Sequence, residues 1–197
     1  TLTGTVDVTG TSDLTVGVDL LITGAYTGGD AIIMLVDGTT SITNTEEDAF
    51  TAESSLDVTS AGNTTLTGTV DVTGTSDLTV GDALMISGDY TGGGAITMLV
   101  DGTTNINNTG DEAFTAESSL DVTSAGNTTL TGTVDVTGTS DLTVGGDLLI
   151  TGDYTGGDSV TLTVSGTTAL DGTLDATGNL VIDGTGSVTL ADTLNVS

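Results

Sequence analysis

Residues 49–80 recur without a change at 113–144, and the sixteen residues TLTGTVDVTGTSDLTV begin at Thr1, Thr65 and Thr129. This 64-residue period constrains the fold more than any other feature. Repetition at a fixed period means an array of like units, each burying its apolar face against the next. An active site, by contrast, is normally built once from residues that differ from their neighbours. The identity extends to positions expected to face solvent, which points to recent duplication of a shaft. The units are 1–64, 65–128 and 129–197, with the third passing from Thr167 into a tighter, more regular segment. On this reading TLNVS, from Thr193, resumes the period where Thr1 begins it.

Inside each unit, short pieces open on Gly beside a small polar residue and close on alternating apolar positions. Val134 and Val136, Leu142 and Val144, Leu148 and Ile150, and Val160, Leu162 and Val164 are two apart. That is the period of a strand with one buried face, and it gives about nine strands per unit. Thr, with 46 copies, favours strands alongside Val and Ile, while 30 Gly interrupt any helical run. The fold expected is all-β, a parallel β-solenoid (β-helix), with about three strands per turn and about three turns per unit. The alternative is an intertwined trimeric β-helical fibre in which three chains each give one strand per layer. An antiparallel sandwich fits exact repetition less well.

There are 28 Asp and Glu and no Lys, Arg or His, for a formal charge of −28. Binding a polyanion releases counterions through cationic side chains, so no nucleic-acid partner is expected, nor an anionic membrane surface. The longest apolar run, Ala31 to Val36, is too short to span a membrane. Charged partners should be divalent cations, a salt atmosphere or a basic protein. Without Cys there are neither disulfides nor thiolate metal sites. Without Lys or Arg there is no trypsin site. The start at Thr1, in mid-repeat and without Met, leads us to expect a processed product or a fragment.

Catalysis is not expected. No His, Lys or Cys is present to activate Ser or Thr, and no Lys completes a phosphate loop. Glycoside hydrolysis by paired carboxylates would want a sugar cleft with more aromatic residues than this chain offers. Calcium is the chemical candidate, since hard cations take oxygen ligands. The residues are Asp153 and Asp158 flanking YTGG, the matching Asp89, and the cluster Glu46, Glu47, Asp48. That cluster lies in the least regular segment, Asn44 to Ser55, read as a solvated loop pinned by Phe50. Thr pairs at Thr3/Thr5, Thr9/Thr11 and Thr73/Thr75 raise an ice-binding face, although they bracket Gly as turns do. Sequons at Asn63, Asn107, Asn127 and Asn195 are candidate glycan acceptors.

The stretch AGNTTLTGTVDVTGTSDLTVGGDLLITGDYTG, Ala125 to Gly156, resembles the repeats of phage tail-fibre-like proteins and large bacterial surface or filamentous adhesin proteins. The resemblance covers most of the chain, including FTAESSLDVTSAGNT. It implies an extracellular, elongated shaft, part of a cell-surface appendage or virion fibre. Such shafts are often homotrimeric in phage fibres and single-chain in adhesins. The function expected is therefore a structural protein whose partners are copies of itself, stacked head to tail. A calcium-dependent adhesin module stands second and an ice-binding protein behind it.

Overall fold

The computed structural model describes residues 1–45, 49–108 and 113–197. These form 29 short strands and no helix. The first are β1 (Leu2–Thr3), β2 (Val6–Val8), β3 (Ser12–Val16), β4 (Leu20–Thr23), β5 (Tyr26–Gly28), β6 (Ile32–Val36), β7 (Thr40–Thr43), β8 (Phe50–Ala52), β9 (Leu56–Ser60) and β10 (Thr64–Thr67). Every strand pairs in parallel with the third strand on, so that β1, β4, β7 and β10 head one sheet, β2, β5 and β8 a second, and β3, β6 and β9 a third. The sheets hold ten, ten and nine strands. A single chain supplies all three strands of each turn. The fold is a parallel β-solenoid of about nine turns.

A turn takes 20 residues where Leu20 lies opposite Thr40, and 24 where Thr40 lies opposite Thr64. The first two units each contain two short turns and one long one. The difference falls in the sequence between a first-sheet strand and the next second-sheet strand, from Thr43 to Phe50 and again from Asn107 to Ala113. After Thr128 the turns are all short, with Leu148, Thr168 and Val188 in succession on the first sheet. This corrects the expectation that Thr193 resumes the period at Thr1. Leu194 lies on the second sheet opposite Leu174, in the column that begins with Val6, whereas Leu2 lies on the first sheet. The missing corner enlargement shifts the phase by four residues.

Alternation along each strand sends one row inward, and these rows stack into columns. On the second sheet the inward pairs run Val6/Val8, Tyr26/Gly28, Phe50/Ala52, then Val70/Val72, Tyr90/Gly92, Phe114/Ala116. A large ring is paired with a minimal residue. A Cβ on Gly28 would stand 2.5 Å from Ile32 Cγ1, so the neighbouring isoleucine uses the space a side chain would need. Tyr26 stacks on Phe50 with centroids 5.3 Å apart, and Tyr90 on Phe114 at 5.1 Å. Aromatic pairs of this kind contribute about 0.5–1.5 kcal/mol beyond area burial.

Candidate functional site

The corners decide where the polar side chains go. At the corner between the third and first sheets, Asp19 Oδ1 accepts the Thr39 backbone N–H at 2.8 Å, and Asn63 Oδ1 accepts that of Ala83 at 3.0 Å. Asn127 Oδ1 accepts from Asp147 N at 2.9 Å, and Asp147 Oδ1 accepts from Thr167 N at 2.7 Å and from its hydroxyl at 2.9 Å. Each side chain thus holds the turn above it, supplying an acceptor to a backbone group that the corner removes from the strand ladder. The backbone hydrogen bond from Thr39, and then its hydroxyl, hold the Asp19 carboxyl below the usual range. Thr167 does the same for Asp147.

Among the described residues, the calcium candidates stand apart. Asp89 Oδ1 accepts the Ala113 N–H at 2.8 Å, bridging turns at the corner between the first and second sheets. Asp153 stands at the corner before the strand Tyr154–Gly156 and Asp158 at the corner after it, so the whole strand, about 10 Å of extended chain, lies between them. Glu46, Glu47 and Asp48 lie outside the described residues. Among the described residues no three acidic side chains group as metal ligands would. Of the sequons, Asn63 and Asn127 spend their carbonyl oxygens on the corner bonds, while Asn107 and Asn195 are exposed on outer faces of the first and second sheets. The pairs Thr9/Thr11 and Thr73/Thr75 flank Gly10 and Gly74 at corners rather than lying on a flat face.

The carboxylates that do meet are 20 residues apart. Asp57 is opposite Asp77 on the outer face of the third sheet, and Asp121 opposite Asp141. Partial burial first, and the Asp77 charge second, push the Asp57 carboxyl up. On the same face a groove of about 210 Å³ runs between Leu35 and Leu99, over the shorter Thr59 and Thr79.

The three outer faces differ in charge. The second sheet carries Asp7, Asp71, Asp135 and Asp175 on its strands, and the third Asp13, Asp57, Asp77, Asp121, Asp141 and Asp183. The ten strands of the first sheet carry none. Instead Thr3, Thr23, Thr43, Thr67, Ser87, Asn107 and Thr131 form one outward row, and Thr151 Oγ1 continues it by donating to Thr131 Oγ1 at 3.1 Å. The face is not visible along the linear sequence. Its signal is a match at steps of 20 or 24, visible only once the turn length is known.

The three tyrosines are buried in the core. The Tyr26 and Tyr154 hydroxyls hydrogen-bond the Ser12 and Ser140 hydroxyls of the turn below. Ser76 and Tyr90 face each other without meeting hydrogen-bond geometry, although Ser76 is near enough to offset part of the effect of burial. Burial pushes the Tyr90 and Tyr154 phenols well above their ordinary range. Fully enclosed, they serve packing. No family model, no curated protein and no solved structure matches this chain.

Proposed function

We propose that this chain is a structural segment, a stretch of β-solenoid shaft in an extracellular filament or fibre. The observation that carries the reading is axial continuity. Backbone ladders and core columns run through about nine turns, about 43 Å at the usual strand spacing. The described acidic residues are spread over corners and two faces as solubilising charge, rather than gathered in a cleft.

The last described turn leaves Val188, Leu190, Leu194 and Val196 exposed, although the same columns are buried one turn earlier. A further turn would bury them, whether it comes from the same chain or from a second copy stacked end to end. Catalysis has no place in this reading, and the likeness to phage fibres and filamentous adhesins supports it as analogy only.

The test is electron cryo-microscopy of the isolated protein with and without a divalent-cation chelator. Continuous fibres with an axial repeat of about 4.8 Å, unchanged by chelator, are the expected result. Discrete compact particles at high protein concentration would refute the filament. Fibres that dissolve in chelator would transfer the reading to a calcium-dependent adhesin segment.

A further inference from the structure

The uncharged first sheet stands out on a chain whose other two faces bear rows of carboxylates. Its second outward row runs from Leu21 through Ser41, Thr65, Met85, Asn105 and Thr129 to Leu149, and continues to Ala169 and Thr189. Leu21 and Met85 are about two-fifths exposed. Leu21, Met85 and Leu149 recur at three-turn intervals with two polar residues between each pair, so this stretch has the same apolar and polar order read from either end about Met85.

We infer that this face is a docking surface for a second copy of the chain, the two shafts lying face to face and antiparallel through their first sheets. Like-charged copies repel wherever carboxylates meet, and this is the one face where strand against strand brings none together. The symmetry follows from the rows. A two-fold axis along the strand direction lays each outward row on its own counterpart and reverses the shaft. It therefore sets Met85 on Met85 and Leu21 on Leu149, with hydroxyl row against hydroxyl row, an isologous contact. A two-fold axis along the shaft would instead set the apolar row against the hydroxyl row.

The area is sufficient. Nine strands, from Leu2–Thr3 to Thr168–Leu170, make a face about 13 Å by about 43 Å, so two copies cover about 1,100 Å², above the about 1,000 Å² that a specific interface needs. Acids border the face at the corners, including Asp19, Asp82 and Asp147 on one edge and Asp89, Asp153 and Asp171 on the other. Pairing should therefore strengthen with salt.

The test exploits the absence of cysteine. Met85→Cys, Leu21→Cys, Leu149→Cys and, as a control on the acidic third sheet, Leu99→Cys, which is 47% exposed, are each treated with a short bismaleimide. The reaction is run in about 0.5 M NaCl, where the screening length falls to about 4 Å. Met85→Cys should cross-link with itself, and Leu21→Cys should cross-link when mixed with Leu149→Cys but not alone. Leu99→Cys should stay monomeric. Met85→Cys reacting no faster than the Leu99→Cys control overturns the interface, and self-linking of Leu21→Cys overturns the antiparallel arrangement. The result is separable from the end-on filament, because Met85→Glu should abolish side-by-side pairing in micrographs while leaving single fibres intact.

Discussion

One core column on the first sheet runs Leu20, Thr40, Thr64, Leu84, Thr104, Thr128, Leu148, Thr168. The Thr40, Thr64, Thr104 and Thr128 hydroxyls are buried and have no hydrogen-bond partner. A buried hydroxyl without a partner costs about 1–3 kcal/mol relative to its hydrated state. Valine has the same shape with a methyl in place of the hydroxyl. Thr64→Val should therefore stabilise the fold by about 1 kcal/mol or more, which for a chain of this size raises Tm by about 2–4 °C per kcal/mol. Thr128→Val occupies the same position one unit away, three turns or about 14 Å along the axis. Two such distant changes add, so the double variant should gain about twice as much. The assay is denaturant unfolding followed by circular dichroism, comparing midpoints at unchanged m-value.

A hydroxyl ladder in this column would reverse the sign. Thr40 and Thr64 are register neighbours, as are Thr104 and Thr128. If their hydroxyls bond one another, Thr64→Val alone strands a buried partner and destabilises, while Thr40→Val with Thr64→Val recovers the loss. A destabilised single variant rescued by the double would show that the column is a hydroxyl ladder rather than a set of orphaned groups.

Gly132 has φ +91°, and a Cβ there would stand 2.2 Å from the Asn108 carbonyl oxygen. Gly132→Ala should cost about 2–4 kcal/mol from left-handed strain and overpacking, read as a fall in denaturation midpoint. Asp57→Asn relieves the like-charge contact with Asp77 and should stabilise at neutral pH by about 0.2–1 kcal/mol, at the low end because the site is mostly exposed and screened. The folded-state pKa of Asp57 is raised, so stability falls as pH rises through the window above the usual carboxylate value. The gain from Asp57→Asn should accordingly vanish in acid. Asp147 has the opposite sign, since its depressed carboxyl stabilises above the usual range and loses that contribution as pH falls. Asp147→Ala should flatten the acid limb of the stability profile, and an unchanged limb would remove Asp147 from the corner hydrogen-bond account.

Strand content and turn number were legible because period-two alternation and Gly punctuation are local signals, present within any eight residues. The split of 64 into turns of 20, 20 and 24 was not. A corner can absorb four residues without disturbing the strand on either side, as Asn44 and Asn108 show by reaching across to the Thr69 and Thr133 carbonyls at 2.9 and 3.3 Å. The same holds for the carboxylates. Asp153 and Asp158 are five residues apart in sequence, yet the strand Tyr154–Gly156 stands between them. Asp57 and Asp77 look distant, yet the solenoid sets them side by side. In a coil of this kind, proximity is a step of one turn, and that step had to be known first.

A turn of 20 residues closes the coil, yet the sequence repeats every third turn, and packing explains why. The turn with Tyr154 needs Ser140 in the turn below for its hydroxyl, and Gly156 two residues on leaves room for the Val160 side chain. Those demands tie each turn to the one beneath, so the smallest self-consistent unit spans three. Deleting residues 65–128 should leave every contact type in place, because Thr64 then leads into Thr129 as it now leads into Thr65. Deleting residues 129–148 removes one turn and keeps the strand register, but sets Tyr154 over the turn of Leu120 in place of Ser140. The phenol then lies buried without a partner, at a cost of about 1–3 kcal/mol, with overpacking of similar size. Leu120→Ser supplies the decisive comparison. In the intact chain it empties a core position and should cost about 2–5 kcal/mol. In the shortened chain it restores the hydroxyl opposite Tyr154 and should stabilise. A loss in both backgrounds would mean that turns pack independently and that the three-turn period records duplication alone.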